Sequence, residues 1–166
     1  LVKRLGSLSM KTAAEIGIQV CRLIQFMNTA DNPILYLDLQ PKNLLVCNGA
    51  VRLIDFDHAQ YAEDVTAFGE RYGTIGFAAP EQYRGEPLDC RTDVYAIGAL
   101  LYYMCRGEPP GNGFCLGDRS DTWELDRIIR GCMEKEKEAR YQSADELQET
   151  LQELQNQLKE QAAESR

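Results

Sequence analysis

The chain has 166 residues, 44% of them hydrophobic and 27% charged, with a formal net charge of −8. That length and apolar share suit a single buried core. The acidic balance excludes nucleic acid and anionic membrane as main partners, because both attract basic surfaces.

Six cysteines (Cys21, Cys47, Cys90, Cys105, Cys115 and Cys132) are scattered, with no C-x-x-C pair and one histidine to assist a metal. This usage reads as reduced thiols in a cytoplasmic domain. No apolar run reaches the roughly 18 residues of a spanning helix, and no export signal opens the chain, so this segment is expected to make no membrane contact. In chain order, Ser9 precedes Ile16, Val20, Leu23, Ile24 and Met27 at steps of three and four, which predicts a helix capped by Ser9. It should end between Asn28 and Asn32, before Pro33. Apolar runs at Ile34–Leu35, Leu44–Val46 and Val51–Ile54 read as short strands, the last two joined by an Asn48-Gly49 hairpin turn. Such a hairpin returns the chain to its starting end and so brings Asn43 and Asp55 together. From His58 to Tyr72 the sequence is polar and weakly periodic, and a mobile loop is expected. Asp93 to Cys105 is apolar on nearly every side, as a helix through the centre of a domain is. Gly107 to Asp121, with its prolines and glycines, reads as an irregular connection. Helices resume at Trp123–Lys135 and from Ser143 to about Glu160. Leu147, Leu151, Leu154 and Leu158 make a seam too short for a coiled coil, so the last helix should pack on the domain and then fray, with Lys159–Arg166 disordered.

The chemistry concentrates in two loops. Tyr36-Leu37-Asp38-Leu39-Gln40-Pro41-Lys42-Asn43 and Ile54-Asp55-Phe56-Asp57 set two carboxylates and a carboxamide on either side of the hairpin. Phosphoryl transfer needs a carboxylate to receive the acceptor hydroxyl's proton and oxygen ligands for Mg²⁺ beside the phosphates. Asp38 suits the first task, and Asn43 with Asp55 the second, since Mg²⁺ takes one or two protein oxygens and completes its shell with phosphate and water.

These residues resemble the protein-kinase signatures H-R-D-L-K-P-x-N and D-F-G, and Ala79-Pro80-Glu81 matches A-P-E. Gly73 to Tyr83 is similar to the G-T-x-G-Y-x-A-P-E-Q-Y of bacterial members, and Thr92 to Gly98 to the D-V-[WY]-x-x-G of the family's central helix. The chain is thereby identified as a member of the Hanks-type serine/threonine kinases of bacterial type. The resemblance implies a mainly α fold, the kinase C-terminal lobe, with a small β-hairpin carrying the catalytic and metal loops. Neither a Gly-rich phosphate loop nor a V-A-I-K-type lysine precedes Asp38, so the N-terminal lobe is absent from this sequence. The lobe is assigned to residues 1–151, with a catalytic loop at 36–43, a metal loop at 55–57, an activation segment at 55–81 and a central helix at 92–105; residues 152–166 form the helix end and tail. By resemblance Asp38 is the base, Asn43 and Asp55 hold Mg²⁺ and the phosphates of ATP, Leu45 floors the adenine site, and Thr74 lines the acceptor site. Asp93 braces the catalytic loop, and Glu81 pairs with Arg140. The implied partners are the missing lobe, which should leave the segment inactive alone, and a protein substrate, with self-association expected through the exposed lobe face or the last helix.

The departures matter as much. Tyr36 and Leu37 replace the histidine and arginine of H-R-D, and that arginine reads an activation-loop phosphate in the family. Gln40 stands where a lysine would contact the transferred phosphate, and a neutral amide is the weaker partner. Asp57 replaces the glycine of D-F-G, and His58 after it reads as a solvent-facing or packing residue. Asp57 also fits the I-D-[FW]-[DE] loop of aminoglycoside-type phosphotransferases, although these lack the segment ending in A-P-E. A pseudokinase or scaffold that retains the lobe without catalysis is the other alternative.

Overall fold

The computed structural model describes residues 7–65, 73–117 and 122–165. Helix α1 (Met10–Asn28) begins at Ser9, whose hydroxyl accepts from the Thr12 amide. Its buried face carries Ile16, Val20, Cys21 and Ile24, which pack toward helices α3 (Cys90–Arg106) and α5 (Ala144–Glu164). Gly17 permits the approach: a Cβ there would lie 2.7 Å from Leu101 Cδ2 and 3.2 Å from Leu151 Cδ1.

Helix α3 is the centre of the domain. Ile97, Leu100, Leu101 and Met104 are completely buried, and Asp89 caps the first turn by accepting from the Arg91 amide. Helix α4 (Trp123–Cys132) packs along it through Leu125, Ile128 and Ile129. The expected continuation of α4 to Lys135 does not occur. The carbonyls of Glu134 and Lys135 instead accept from the Arg140 guanidinium, which draws the chain out of the helix. A short helix α2 (Pro80–Arg84) and two 3-10 turns, Pro41–Asn43 and Lys137–Ala139, complete the helical elements among the described residues.

The strands form two antiparallel pairs. Strands β2 (Leu44–Cys47) and β3 (Ala50–Leu53) make the expected hairpin in the register Leu44↔Leu53, with Asn48 and Gly49 both at positive φ in its turn. Gln19 of α1 clamps the hairpin, donating to Gly49 O and accepting from Val51 N. Strand β1 (Ile34–Leu35) pairs with β4 (Gln60–Tyr61), so the segment read as a loop from His58 contributes a strand at its start. The rest of that segment lies partly outside the described residues.

The tail also differs from expectation. Helix α5 runs through Glu164, and its buried side extends past 151 to Leu154 and Gln155, so Lys159–Glu164 is helical rather than disordered. Ser143 caps its start by accepting from Glu146 N, and the following Gln, Glu, Leu and Ala residues favour helix without an interrupting Gly or Pro.

Candidate active site

The catalytic-loop candidates sit on a backbone that α3 holds. Asp93, fully buried, accepts from Tyr36 N and Leu37 N at 2.9 Å each and from Asn28 Nδ2 at 3.2 Å. Burial pushes its carboxyl above the ordinary value, and the three donors oppose that shift. Leu37 lies at φ 64, a conformation a branched side chain adopts only when its surroundings dictate it. The Asp93 bond to its amide is one such constraint. A second comes from Gln82, whose Nε2 donates to Leu37 O while its Oε1 accepts from Ala79 N. Leu37 is itself buried, where the family's arginine would carry charge.

From this support Asp38 enters a closed set of hydrogen bonds. Gln40 Nε2 donates to Asp38 Oδ1 at 2.7 Å and to Thr74 Oγ1 at 2.6 Å, and Thr74 Oγ1 donates to the same Oδ1 at 2.8 Å. Asn43 Nδ2 donates to Asp38 O at 2.7 Å and to Asp38 Oδ2 at 3.0 Å. Asp38, Gln40 and Asn43 are all buried. His58 Nε2 stands 4.0 Å from Asp38 Oδ2, with its side chain 49% exposed. The imidazole is thus solvent-facing, as expected, and also next to the candidate base.

The metal loop arrives through the hairpin. Pairing of Leu44 with Leu53 is followed by a bond from Ile54 N to Asn43 O at 3.1 Å, which places Asp55 at the Asn43 end. Asp55 Oδ1 accepts from Asp57 N at 2.9 Å. Asn43 commits its amide hydrogens to Asp38, which leaves its oxygen for a cation. A carboxamide oxygen and a carboxylate suit a hard ion that keeps water and phosphate in its shell. Among the described residues no group of three or more His, Cys, Asp or Glu could hold a metal, so an ion here would depend on those additional ligands.

Around these loops the surface is apolar. Phe56 stacks edge-on against Tyr36 with ring centroids 5.4 Å apart, yet it is 52% exposed, and Ile54 and Tyr61 are comparably open. A cleft between Met27, Ile34, Phe56, Ala59 and Tyr61 adjoins them, and Leu45 lies half-buried on the hairpin. The Tyr36 hydroxyl is buried without a hydrogen-bond partner among the described residues, and burial followed by the Asp38 charge makes it a weaker acid, its pKa pushed up to about 12.

Below the site, Glu81 and Arg140 form the expected pair. Arg140 Nη1 meets Oε1 at 2.6 Å and Nη2 meets Oε2 at 2.8 Å, both side chains being almost wholly inaccessible. Thr92 Oγ1 also donates to Glu81 Oε1, and Tyr95 lies under the guanidinium. Burial raises the Glu81 carboxyl, but the bonds and charge of Arg140, with a backbone amide and the Thr92 hydroxyl, together outweigh it and leave the group below its ordinary value. Sequence reasoning assigned no role to Asn28, Gln82 or Gln19. Gln82 lay inside a quoted motif and was the one that could have been found; the other two become visible only through tertiary contacts.

A family model described as protein kinase domain matches residues 1–166. The chain is 31% identical over 172 residues to the serine/threonine-protein kinase PknB of Mycolicibacterium smegmatis, covering 88% of this chain and 27% of that protein. It is 32% identical over 173 residues to a probable serine/threonine-protein kinase of Corynebacterium efficiens, covering 89% and 26%. A probable serine/threonine-protein kinase of Clostridium acetobutylicum is 27% identical over 176 residues, covering 94% and 26%. The chain therefore spans about a quarter of the length of the curated relatives it matches.

Proposed function

We propose a phosphotransfer role from one premise: this chain belongs to the protein kinase family. In the intact protein it supplies the lobe that carries the base and metal ligands, and a nucleotide-binding lobe supplies the rest. The overall activity is transfer of the γ-phosphate of ATP to a serine or threonine hydroxyl of a protein substrate. The observation that carries this reading is the Asp38 carboxylate, buried but fixed by Gln40, Thr74 and Asn43 in a loop braced from α3.

When bound, ATP with Mg²⁺ supplies the phosphoryl group and neutralises its charge. This chain's residues do the remainder. Asp38 orients the acceptor hydroxyl and takes its proton, a task that calls for a carboxylate with a fixed direction. Thr74 and Gln40 hold its Oδ1 and Asn43 its Oδ2, which together fix the direction of the carboxylate. Asn43 and Asp55 hold the cation through oxygen atoms. Leu45 gives the adenine an apolar floor. Asp93 and the Glu81–Arg140 pair keep the loops at their separation. Among the described residues no helix is long and apolar enough to cross a membrane.

The test compares this chain alone with the chain joined to its nucleotide-binding lobe, using ATP, Mg²⁺ and a generic basic protein. The joined form should phosphorylate, and the chain alone should not. Asp38→Asn and Asp55→Asn should each remove activity from the joined form. Nucleotide binding without turnover in the unmodified joined form would overturn catalysis in favour of a scaffold. Phosphorylation by the chain alone, lost in Asp38→Asn, would overturn the need for a second lobe.

A further inference from the structure

We propose that His58 is a positioning residue of the transfer site, supplying beside Asp38 a hydrogen-bond donor on the oxygen that Gln40 does not reach. The inference rests on the kinase reading above.

Among the described residues the donors hydrogen-bonded to the Asp38 carboxylate are neutral: the amides of Gln40 and Asn43 and the hydroxyl of Thr74. A carboxylate taken out of water is held better by a charged donor, which forms roughly twice as strong a bond as a neutral one. Gln40 replaces an ammonium with an amide on the Oδ1 side. On the Oδ2 side the imidazole of His58 stands 4.0 Å away. The position that lost its cation and the imidazole therefore face opposite oxygens of the same carboxylate, although the two residues are far apart in sequence.

The loop is built to present that imidazole. Asp57 N donates to Asp55 Oδ1 at 2.9 Å, and Ala59 N donates to Phe56 O at 3.1 Å, so a tight turn brackets His58 and aims it back over the base. Half the side chain remains in solvent, which leaves it room to close the last ångström when negative charge gathers at the site. Nε2 can donate both as imidazolium and in one neutral tautomer, so the contact does not require a single charge state.

His58 is the chain's only histidine, so labelling histidine with ¹⁵N gives one assignable pair of ring resonances. Asp38→Asn in this chain should move them. In the joined kinase, Mg²⁺ with a non-hydrolysable ATP analogue should move them again. His58→Ala should lower kcat by about ten- to a hundredfold, the range of one hydrogen bond to a charged group, while leaving KM for ATP and the denaturation midpoint nearly unchanged. Gln40→Lys should restore most of that loss in the His58→Ala background, because it returns a cation to the other oxygen. Resonances indifferent to Asp38→Asn, a silent His58→Ala, or failure of the Gln40→Lys rescue would each overturn the proposal. If Asp38→Asn abolishes turnover but His58→Ala is silent, the kinase reading stands and this inference alone fails. Shifted resonances with no turnover in any form would overturn both.

Discussion

Arg140→Ala is the sharpest test of how the lower half of this domain is held. The substitution removes two short bonds to Glu81 and three to the carbonyls of Glu134, Arg91 and Lys135. Glu81 is then left buried as an anion with the Thr92 hydroxyl as its remaining side-chain donor. Breaking a buried ion pair by deleting one member costs about 3–5 kcal/mol. At a urea slope of ~2 kcal/mol/M, the midpoint should fall by about 1.5–2.5 M. Arg84→Ala is the control: its partner Glu86 is 3.7 Å away with both side chains half-exposed, a class of pair worth about 0–1 kcal/mol. The pH dependence sharpens the test. A carboxyl held below its ordinary value of 4.5 stabilises the fold above that pH, and the contribution is lost as pH falls through the folded value. The gap between wild type and Arg140→Ala should therefore be full at pH 7 and shrink on acidification, because the mutant's Glu81 can then protonate. Equal, small midpoint changes for Arg140→Ala and Arg84→Ala, or a gap that does not narrow with acid, would refute the argument.

Tyr36→Phe should be neutral or stabilising by about 1 kcal/mol, since it deletes a buried hydroxyl without a partner and keeps the stack on Phe56; a clear drop in the thermal midpoint would show an unseen partner. Asp89, bound by Arg91 and Lys137, has its carboxyl lowered to about 2 from an ordinary 3.8 against the opposing effect of burial. The stability difference between wild type and Asp89→Asn should be full at neutral pH and decline below pH 3.8 toward 2 in acid titrations followed by circular dichroism; a constant difference from pH 7 to 3 would count against it. The exposed Ile54, Phe56 and Tyr61 should make the isolated chain bind an apolar dye and self-associate, and Phe56→Ser should reduce both. A strict monomer without dye binding, by light scattering at high concentration, would rule that out.

Local signals in the sequence account for the well-anticipated elements. Ser9 and Ser143 declared two helix starts, Asn48-Gly49 a hairpin, and the unbroken apolar run to Cys105 a central helix. Each follows from chemistry within a few residues. The errors came where distant groups decide. Strand β4 exists because β1 offers an edge to it, α4 ends early because Arg140 takes its next carbonyls, and α5 stays ordered past 151 because Leu154 finds the core. Motif spacing placed Asp38 and Asn43 in one loop and Thr74 in a distant segment, and the structure brings all three together. The position of His58 beside Asp38 was not legible, because it depends on a turn geometry that its own neighbours do not spell out.

The bond pattern of Asp93 has a consequence for when the loop can come apart. Loops usually exchange their amide hydrogens through small local openings that cost little. Tyr36 N and Leu37 N instead donate to a fully buried carboxylate on the first turn of α3, so releasing them means stripping a buried charge of its donors where the central helix begins. Their deuterium uptake should match that of the slowest α3 amides rather than that of other loops. In this chain, loss of the loop that carries Asp38 and loss of the fold would be a single event.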